Sequence, residues 1–436
     1  MNIINELLAS ERYKRILAGM GANAFGNAVT IGLQLASLPI FLFYWDISRY
    51  GTWLMLSAIP SYLTMADIGM VTVAANKMTI AMGRGDRIAA NRIFQSALIF
   101  VITSSIFLVF VSSVCLYFSS LAIASMLDYK ETLLALIFCV LLSFISGLAD
   151  AIFRSTHRYA TGIVMNSFIR IAEWLGGVLG LLWNGEFHNV AVGMLIARLI
   201  GMVLVIRYSN LDEGNAFNWG VSKASMLEMR SMLKPSVAFM MFPFTNALSF
   251  QGITLVVGLL MGSANVAIFN TYRTIARVAV QASATFSFAI WAEFSREFGR
   301  NNMNGIKQFY VRSFKIGAII AVLVSLLLLF FSPLLLRVWS HGQIPFNSKL
   351  ITILLIYAAI AGFWHVPRTL ILSINKHNKL ALWSVVISIL TLLGAWVLGS
   401  AFDMYGVAYA MIVGELIIAT ASVLNANSII YKLSEN

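Results

Sequence analysis

Apolar residues run along this chain in long stretches separated by short polar breaks. Twelve stretches are long enough to cross about 30 Å of hydrocarbon at 1.5 Å per residue. They lie near 15–43, 49–74, 93–118, 131–154, 161–183, 189–208, 232–260, 265–290, 312–336, 350–373, 380–400 and 404–426. Every one exceeds strand length and several lack any alternation, so the pattern predicts helices and excludes a barrel. Inside some windows polar residues recur at helical spacing and form a stripe. The first window carries Asn23, Asn27, Thr30 and Gln34; the second carries Ser57, Ser61 and Thr64. The seventh carries Thr245, Asn246 and Ser249, with Pro235 and Pro243 as bend points. The eighth carries Asn270, Arg273, Thr274, Arg277, Gln281 and Thr285. Amides and hydroxyls also join helices to one another in membranes, but stripes on corresponding windows predict a polar cavity. Its expected lining is Asn23, Asn27, Gln34, Ser57, Ser61, Asn246, Asn270 and Gln281.

Composition agrees with a membrane setting: 59% of residues are hydrophobic and only 11% charged, with a mean hydropathy of +0.84. The chain is expected to be an all-α polytopic membrane protein. The formal net charge of +12 would suggest a nucleic-acid partner in a soluble protein, but its placement points elsewhere. Basic residues collect on one side of the twelve windows: the N-terminal arm, Lys77 to Arg92, Arg154 and Arg158, Arg207 to Lys234, Arg296 to Lys315, Arg368 to Lys379 and Lys432. The other side holds only Arg49, Lys130, Arg337 and Lys349. By the positive-inside rule both termini are cytoplasmic and no nucleic acid is implied. The first apolar run is too long for a signal peptide and reads as a retained helix. Cys115 and Cys139 sit in apolar segments and read as free buried thiols.

The second half of the chain repeats the first. A shift of 216 residues lays the loop at Gly83-Arg84-Gly85-Asp86 on Gly299-Arg300-Asn301-Asn302 and places Ser57 and Ser61 on Arg273 and Arg277. An even number of crossings per repeat makes the repeats parallel. The expected division is a six-helix bundle over 1–209, a cytoplasmic linker over 210–231 and a second six-helix bundle over 232–436. Ser225-Met226-Leu227-Glu228 forms a capping box that predicts a short amphipathic surface helix in the linker.

Two arginines one turn apart in the middle of the eighth window are the most informative feature of the chain. A lone cation there costs roughly 2.5–3.5 kcal/mol on insertion scales. A guanidinium meets phosphate oxygens two at a time, so Arg273 and Arg277 predict an anionic cargo, above all a phosphate. Other charges inside windows are candidates for ion coupling or structural pairing. Arg170 and Glu173 are three apart and can pair, with Arg198 able to join them across the hairpin. Asp150 and Arg154 form a local pair at a helix end. Asp67 anchors a loop or takes part in coupling. Glu415 stands near mid-membrane with no sequence-local partner, which makes it the leading proton-carrying candidate. His365 reads as a helix contact. No cofactor is expected, and proton or sodium coupling stays open.

The stretch RYGTWLMLSAIPSYLTMADIGM, Arg49 to Met70, resembles the second-helix signature of the polysaccharide-export flippases, with its aromatic-Gly-x-Trp opening and the Asp-x-Gly at Asp67 to Gly69. These are the Wzx-type members of the MOP superfamily (multidrug, oligosaccharidyl-lipid, polysaccharide). The likeness extends over the whole chain in length, helix number, repeat and basic loops. It implies two V-shaped bundles around a cationic cavity and matches residue by residue at Arg273, Arg277 and Arg49. It implies movement of an undecaprenyl-diphosphate-linked oligosaccharide, such as an O-antigen unit, from the cytoplasmic to the periplasmic leaflet of a bacterial inner membrane. Membrane lipid and a polysaccharide polymerase and chain-length complex are the partners it implies.

Several chemistries are set aside. There is no Gly-Lys-Ser or Gly-Lys-Thr phosphate loop, no Cys or His cluster with metal-ligand spacing and no nucleophile elbow. Short outward loops count against a membrane glycosyl polymerase or glycosyltransferase. A MATE-type cation and drug antiporter shares the architecture, but it calls for acidic groups in the first bundle, and the first window has none in its core.

Overall fold

The computed structural model describes residues 11–65, 67, 69–118, 129–210, 217–299, 303–374 and 378–434. The described residues are helical with no strand. In chain order the helices are α1 (Glu11–Tyr44), α2 (Ile47–Leu63), α3 (Met70–Gly83), α4 (Arg87–Phe118), α5 (Lys130–Ser155), α6 (Tyr159–Asn184), α7 (Phe187–Ser209), α8 (Met226–Ala247), α9 (Ile253–Met261), α10 (Ser263–Ala289), α11 (Trp291–Gly299), α12 (Met303–Trp339), α13 (Ser348–Ser373) and α14 (Asn378–Ser434). Each of the twelve apolar windows falls on this helical framework. Among the described residues nine helical stretches are individually long and apolar enough to cross a membrane, and the last of them, Lys379–Tyr431, contains two windows. Those two are joined without a loop: the helix breaks at Phe402 and at Asp403, whose φ is 53°.

The all-α polytopic class and the repeat predicted from the sequence are present. α2 and α10 begin at 47 and 263, and α4 and α12 at 87 and 303, the same 216-residue shift. Each of α2 and α10 is followed by a break and a shorter helix. The second window is therefore not one continuous helix. Gly69 turns at a φ of 73°, and its N–H donates to the Asp67 carboxylate at 2.9 Å.

Two compact units divide the chain. One holds Met1–Tyr44 and Ile59–Met240, the other Trp45–Ala58 and Met241–Asn436. The start of α2 thus packs with the second unit. Ser48 Oγ lies 2.8 Å from Ser263 Oγ, and a Cβ on Gly51 would run into the Ser263 carbonyl. Only glycine lets these two helix starts touch.

In the first unit α3, α4 and α5 share a core that includes Met78, Phe94 and Leu148. The linker is part of it. Phe217 and Trp219 stack edge-on against Phe94 at 5.7 and 5.0 Å. Asn91 Oδ1 accepts from Asn218 N–H at 2.9 Å, Gln95 donates to Asn218 O at 3.1 Å and accepts from Lys223 N–H at 2.6 Å, and Ser96 Oγ accepts from Ser225 N–H at 2.9 Å. Each contributes about 1 kcal/mol net, and Gln95 is only 1% exposed. α8 starts where the capping box predicts, but it is not a short surface helix: it continues unbroken across 231/232. Glu228 faces Lys77 at 3.7 Å.

α6 and α7 meet closely through small residues. A Cβ on Gly176 would strike the Gly193 carbonyl, and one on Gly180 the Asn189 carbonyl, a small-xxx-small contact of the kind that lets membrane helices approach. The approach brings Glu173 within 3.1 Å of Arg198. In the second unit the core is built around Phe294, Tyr310, Leu370 and Ile371.

Candidate functional site

The second unit contains a cavity of about 430 Å³ lined by α8, α10, α13, α14 and the segment that joins α8 to α9. That segment, Leu248–Gly252, is one turn of π-helix. A π turn loosens the regular carbonyl ladder and recurs at functional sites. Here the Phe250 carbonyl accepts from Thr254 Oγ1 at 2.9 Å and from Arg273 Nη1 at 3.1 Å. Arg273 Nη2 also donates to Thr254 Oγ1 at 2.8 Å and to Asn270 Oδ1. Its side chain is 7% exposed. Arg273 is therefore anchored, and much of its donor capacity is spent on the protein.

Arg277 is placed differently. It lines the cavity, lies 4.3 Å over the Phe250 ring, and has no hydrogen-bond acceptor or ion-pair partner among the described residues. The Phe250 ring also faces Arg273 at 5.1 Å, so one aromatic face holds both guanidinium groups by cation–π attraction. Arg368 enters the same cavity from α13, 5.4 Å from the Trp364 ring. Glu415, from α14, accepts a hydrogen bond from Trp364 Nε1. Among the described residues it is the only carboxylate on the lining, against three arginines. Thr245, Asn246, Gln281, Ser384, Ser388 and Thr391 add neutral donors and acceptors. His365 also lines it, its Nε2 buried and without a hydrogen-bond partner among the described residues.

Of the residues singled out from the sequence, the structure brings Arg273, Arg277, Asn246, Gln281 and Glu415 to this one cavity, with Asn270 behind them holding Arg273. Asn23 and Asn27 line a separate pocket of about 230 Å³ in the first unit, with Asp150, Arg154 and Arg170. Gln34, Ser57, Ser61 and Asp67 line neither, and Arg49 faces the Trp45 ring at 6.0 Å.

Of the pairings expected from the sequence, the one across the hairpin forms, the Arg170–Glu173 one gives way to it, and Asp150 and Arg154 stay within electrostatic reach of each other while each also meets a neighbouring helix. Glu173 pairs with Arg198 instead of Arg170, while Arg170 donates to Thr30 Oγ1 at 2.6 Å. Asp150 accepts from Asn166 at 3.3 Å, and Arg154 lies over the Tyr159 ring at 5.5 Å. Close packing of neighbouring helices supplies these partners, which same-helix spacing cannot reveal. Cys139 is a free buried thiol; Arg300, Asn301, Asn302 and the side chains of Cys115 and Arg296 lie outside the described residues.

Three site residues escaped the sequence reading. Phe250 and Trp364 are aromatics within apolar runs and carry no signal there. Arg368 was counted with a basic loop because it stands near the end of its window. The spacing Tyr357, Trp364, Arg368 does form one helical stripe and could have exposed it.

No protein-family model matches the chain, and no curated protein matches it. Among solved structures it is similar to an inward-facing multidrug resistance MATE family transporter of the MOP superfamily, with a TM-score of 0.77, 12% identity, and coverage of 93% of this chain and 96% of that one. An outward-facing MATE family transporter of the same superfamily gives 0.68 at 13% identity, covering 99% and 98%. A MOP superfamily transporter from Pyrococcus furiosus, described as having a binding pocket of reverse polarity that suggests a different function, gives 0.68 at 13%, covering 99% and 98%. At these identities the likeness is one of fold: this chain has the fold of the MOP superfamily transporters.

Proposed function

We propose that this protein is a carrier, not an enzyme, and that it flips an undecaprenyl-diphosphate-linked oligosaccharide across a bacterial inner membrane by alternating access. The observation that carries the reading is Arg277: a guanidinium inside the membrane, stacked on Phe250 and with no acceptor among the described residues, facing a cavity that also holds Arg273 and Arg368. A cation placed in this way suits an anion that arrives and leaves. A diphosphate offers oxygens to several guanidinium groups at once, and the hydroxyl and amide groups around it suit the adjoining sugar. The fold likeness to MOP superfamily transporters supports carriage across a membrane. An inside-negative potential would assist outward movement of a dianion by about 2.3 kcal/mol per charge per 100 mV. Glu415, the carboxylate on the cavity lining, is the group assigned to any proton or sodium coupling.

The second reading is a MATE-type drug antiporter. The neighbours in fold favour it, as do the carboxylates Glu415 and Asp150 on the two pockets. The three arginines around Glu415 argue against a cationic cargo there. Purified protein in liposomes separates the two. A flippase exposes lipid-linked saccharide on the opposite leaflet without altering it covalently and ignores cationic drugs. Drug accumulation with no movement of the lipid-linked saccharide would replace this reading with the antiporter.

A further inference from the structure

In the first unit an apolar groove of about 580 Å³ runs between α1, α6 and the end of α7. Its floor is made of small residues, Ala18 and Gly21 on α1 facing Ala160 on α6. A Cβ at Gly21 would meet nothing within 4 Å, so none of the described residues fills the space at that level. One end is closed by Phe25 and Phe168, whose ring centroids are 5.8 Å apart. From Ala18 to Phe25 the groove follows the helix for about 10 Å, the length of the headgroup-proximal part of an acyl chain.

The other end is basic. Tyr208 lines it, and Arg158 lies 5.1 Å over the Tyr208 ring while donating to the Tyr208 carbonyl at 3.4 Å. Lys14 precedes Ala18 by four residues, on the same face of α1, and is exposed. An apolar slot that ends in two cations fits a molecule with a hydrocarbon chain on one side and a negative headgroup on the other. Basic pockets between membrane helices take anionic lipid headgroups in this way. A free phosphate has no use for the apolar walls, and a zwitterionic lipid brings its own cation to the basic end.

We infer that this groove is a binding site for an anionic phospholipid, with an acyl chain between α1 and α6 and the phosphate beside Arg158 and Lys14. The site is independent of what the protein carries and would stand if the cargo were a drug.

The test is native mass spectrometry of the full chain in detergent with dioleoyl phosphatidylglycerol, dioleoyl phosphatidylcholine or inorganic phosphate. Phosphatidylglycerol is expected to stay bound at concentrations where the other two do not. Arg158→Gln should lower its apparent affinity about fivefold, the loss of one basic residue near an anionic headgroup. Gly21→Leu fills the empty space and should lower it at least as much, while Arg337→Gln on α12 should change nothing. If Gly21→Leu fails to reach the membrane, Thr161→Leu blocks the groove from α6. Equal retention of the two lipids, retention of inorganic phosphate as strong as that of phosphatidylglycerol, or parental affinity in the Arg158 and groove-filling variants would each overturn the inference.

Discussion

Arg273 and Arg277 are one turn apart on α10, yet the structure predicts that removing them has different consequences. Arg273→Ala leaves the Phe250 carbonyl, Thr254 and Asn270 without the guanidinium that now joins them. Hydrogen bonds to a charged group contribute about 1.5–3 kcal/mol each, and buried acceptors left unmade keep their desolvation penalty. Even after relaxation and relief of the buried charge, a net destabilisation of about 2–3 kcal/mol is expected. Arg277→Ala removes a cation–π contact with Phe250 at 4.3 Å, about 0.5–2 kcal/mol, and no hydrogen bond. It should therefore fold nearly as the parent does while losing the two-point grip on phosphate. The expected fall in pyrophosphate affinity is about 10- to 100-fold, the loss of one or two charge-assisted bonds. Thermal unfolding and membrane abundance report the first effect; pyrophosphate binding and flipping in liposomes report the second. Arg277→Lys keeps the charge without the fork and should fall between parent and alanine. The reasoning fails if Arg277→Ala binds and flips like the parent, or if both alanine variants lose abundance equally.

Three further outcomes are expected. Glu415→Gln should bind pyrophosphate yet lose any response of flipping to a pH gradient, with Glu415→Asp keeping part of it; an unchanged response in liposomes would reduce Glu415 to a packing partner of Trp364. Glu173→Gln alone, by leaving Arg198 unpaired in a site where both side chains are about 15% exposed or less, should destabilise by about 3 kcal/mol. Replacing both residues by leucine should recover most of that in a denaturation assay. Asp403→Gly, at a φ of 53° and ψ of −142°, should raise thermal stability by about 1 kcal/mol, because glycine adopts that conformation without a Cβ penalty.

The sequence reached the helices because hydrocarbon thickness imposes one length on every crossing, and long apolar runs declare it. It reached Arg273, Arg277 and Glu415 for a related reason: a charge inside an apolar run stands out whatever it touches. It could not show that Arg273 is tied to the Phe250 carbonyl and Arg277 is not, since that difference arises from a π turn with no local sequence signal. Nor could it show that Glu173 turns to Arg198 instead of Arg170. Spacing along one helix describes only that helix, and the glycines that draw α7 close decide the pairing. The interruption between α2 and α3 does carry a signal, Thr64, Asp67 and Gly69, but apolar residues on both sides of it make up one crossing length and mask it.

The hydrogen bonds from Asn91, Gln95 and Ser96 to the backbone of residues 218–225 mean that the middle of the chain is not a slack tether. From Ile59 onward the polypeptide stays in the first unit as far as Met240, inside α8. Cutting the peptide between 211 and 216 would therefore cut the covalent chain without cutting the folded body it belongs to. Two fragments made separately, 1–213 and 214–436, share a ready-made seam: the second carries Phe217, Trp219 and the start of α8 as a plug for the surface that Phe94 and Gln95 present on the first. The same cut moved to the inside of α8 would leave that plug with its own socket, and the two pieces would have to find each other through the start of α2, where Ser48 and Gly51 meet Ser263.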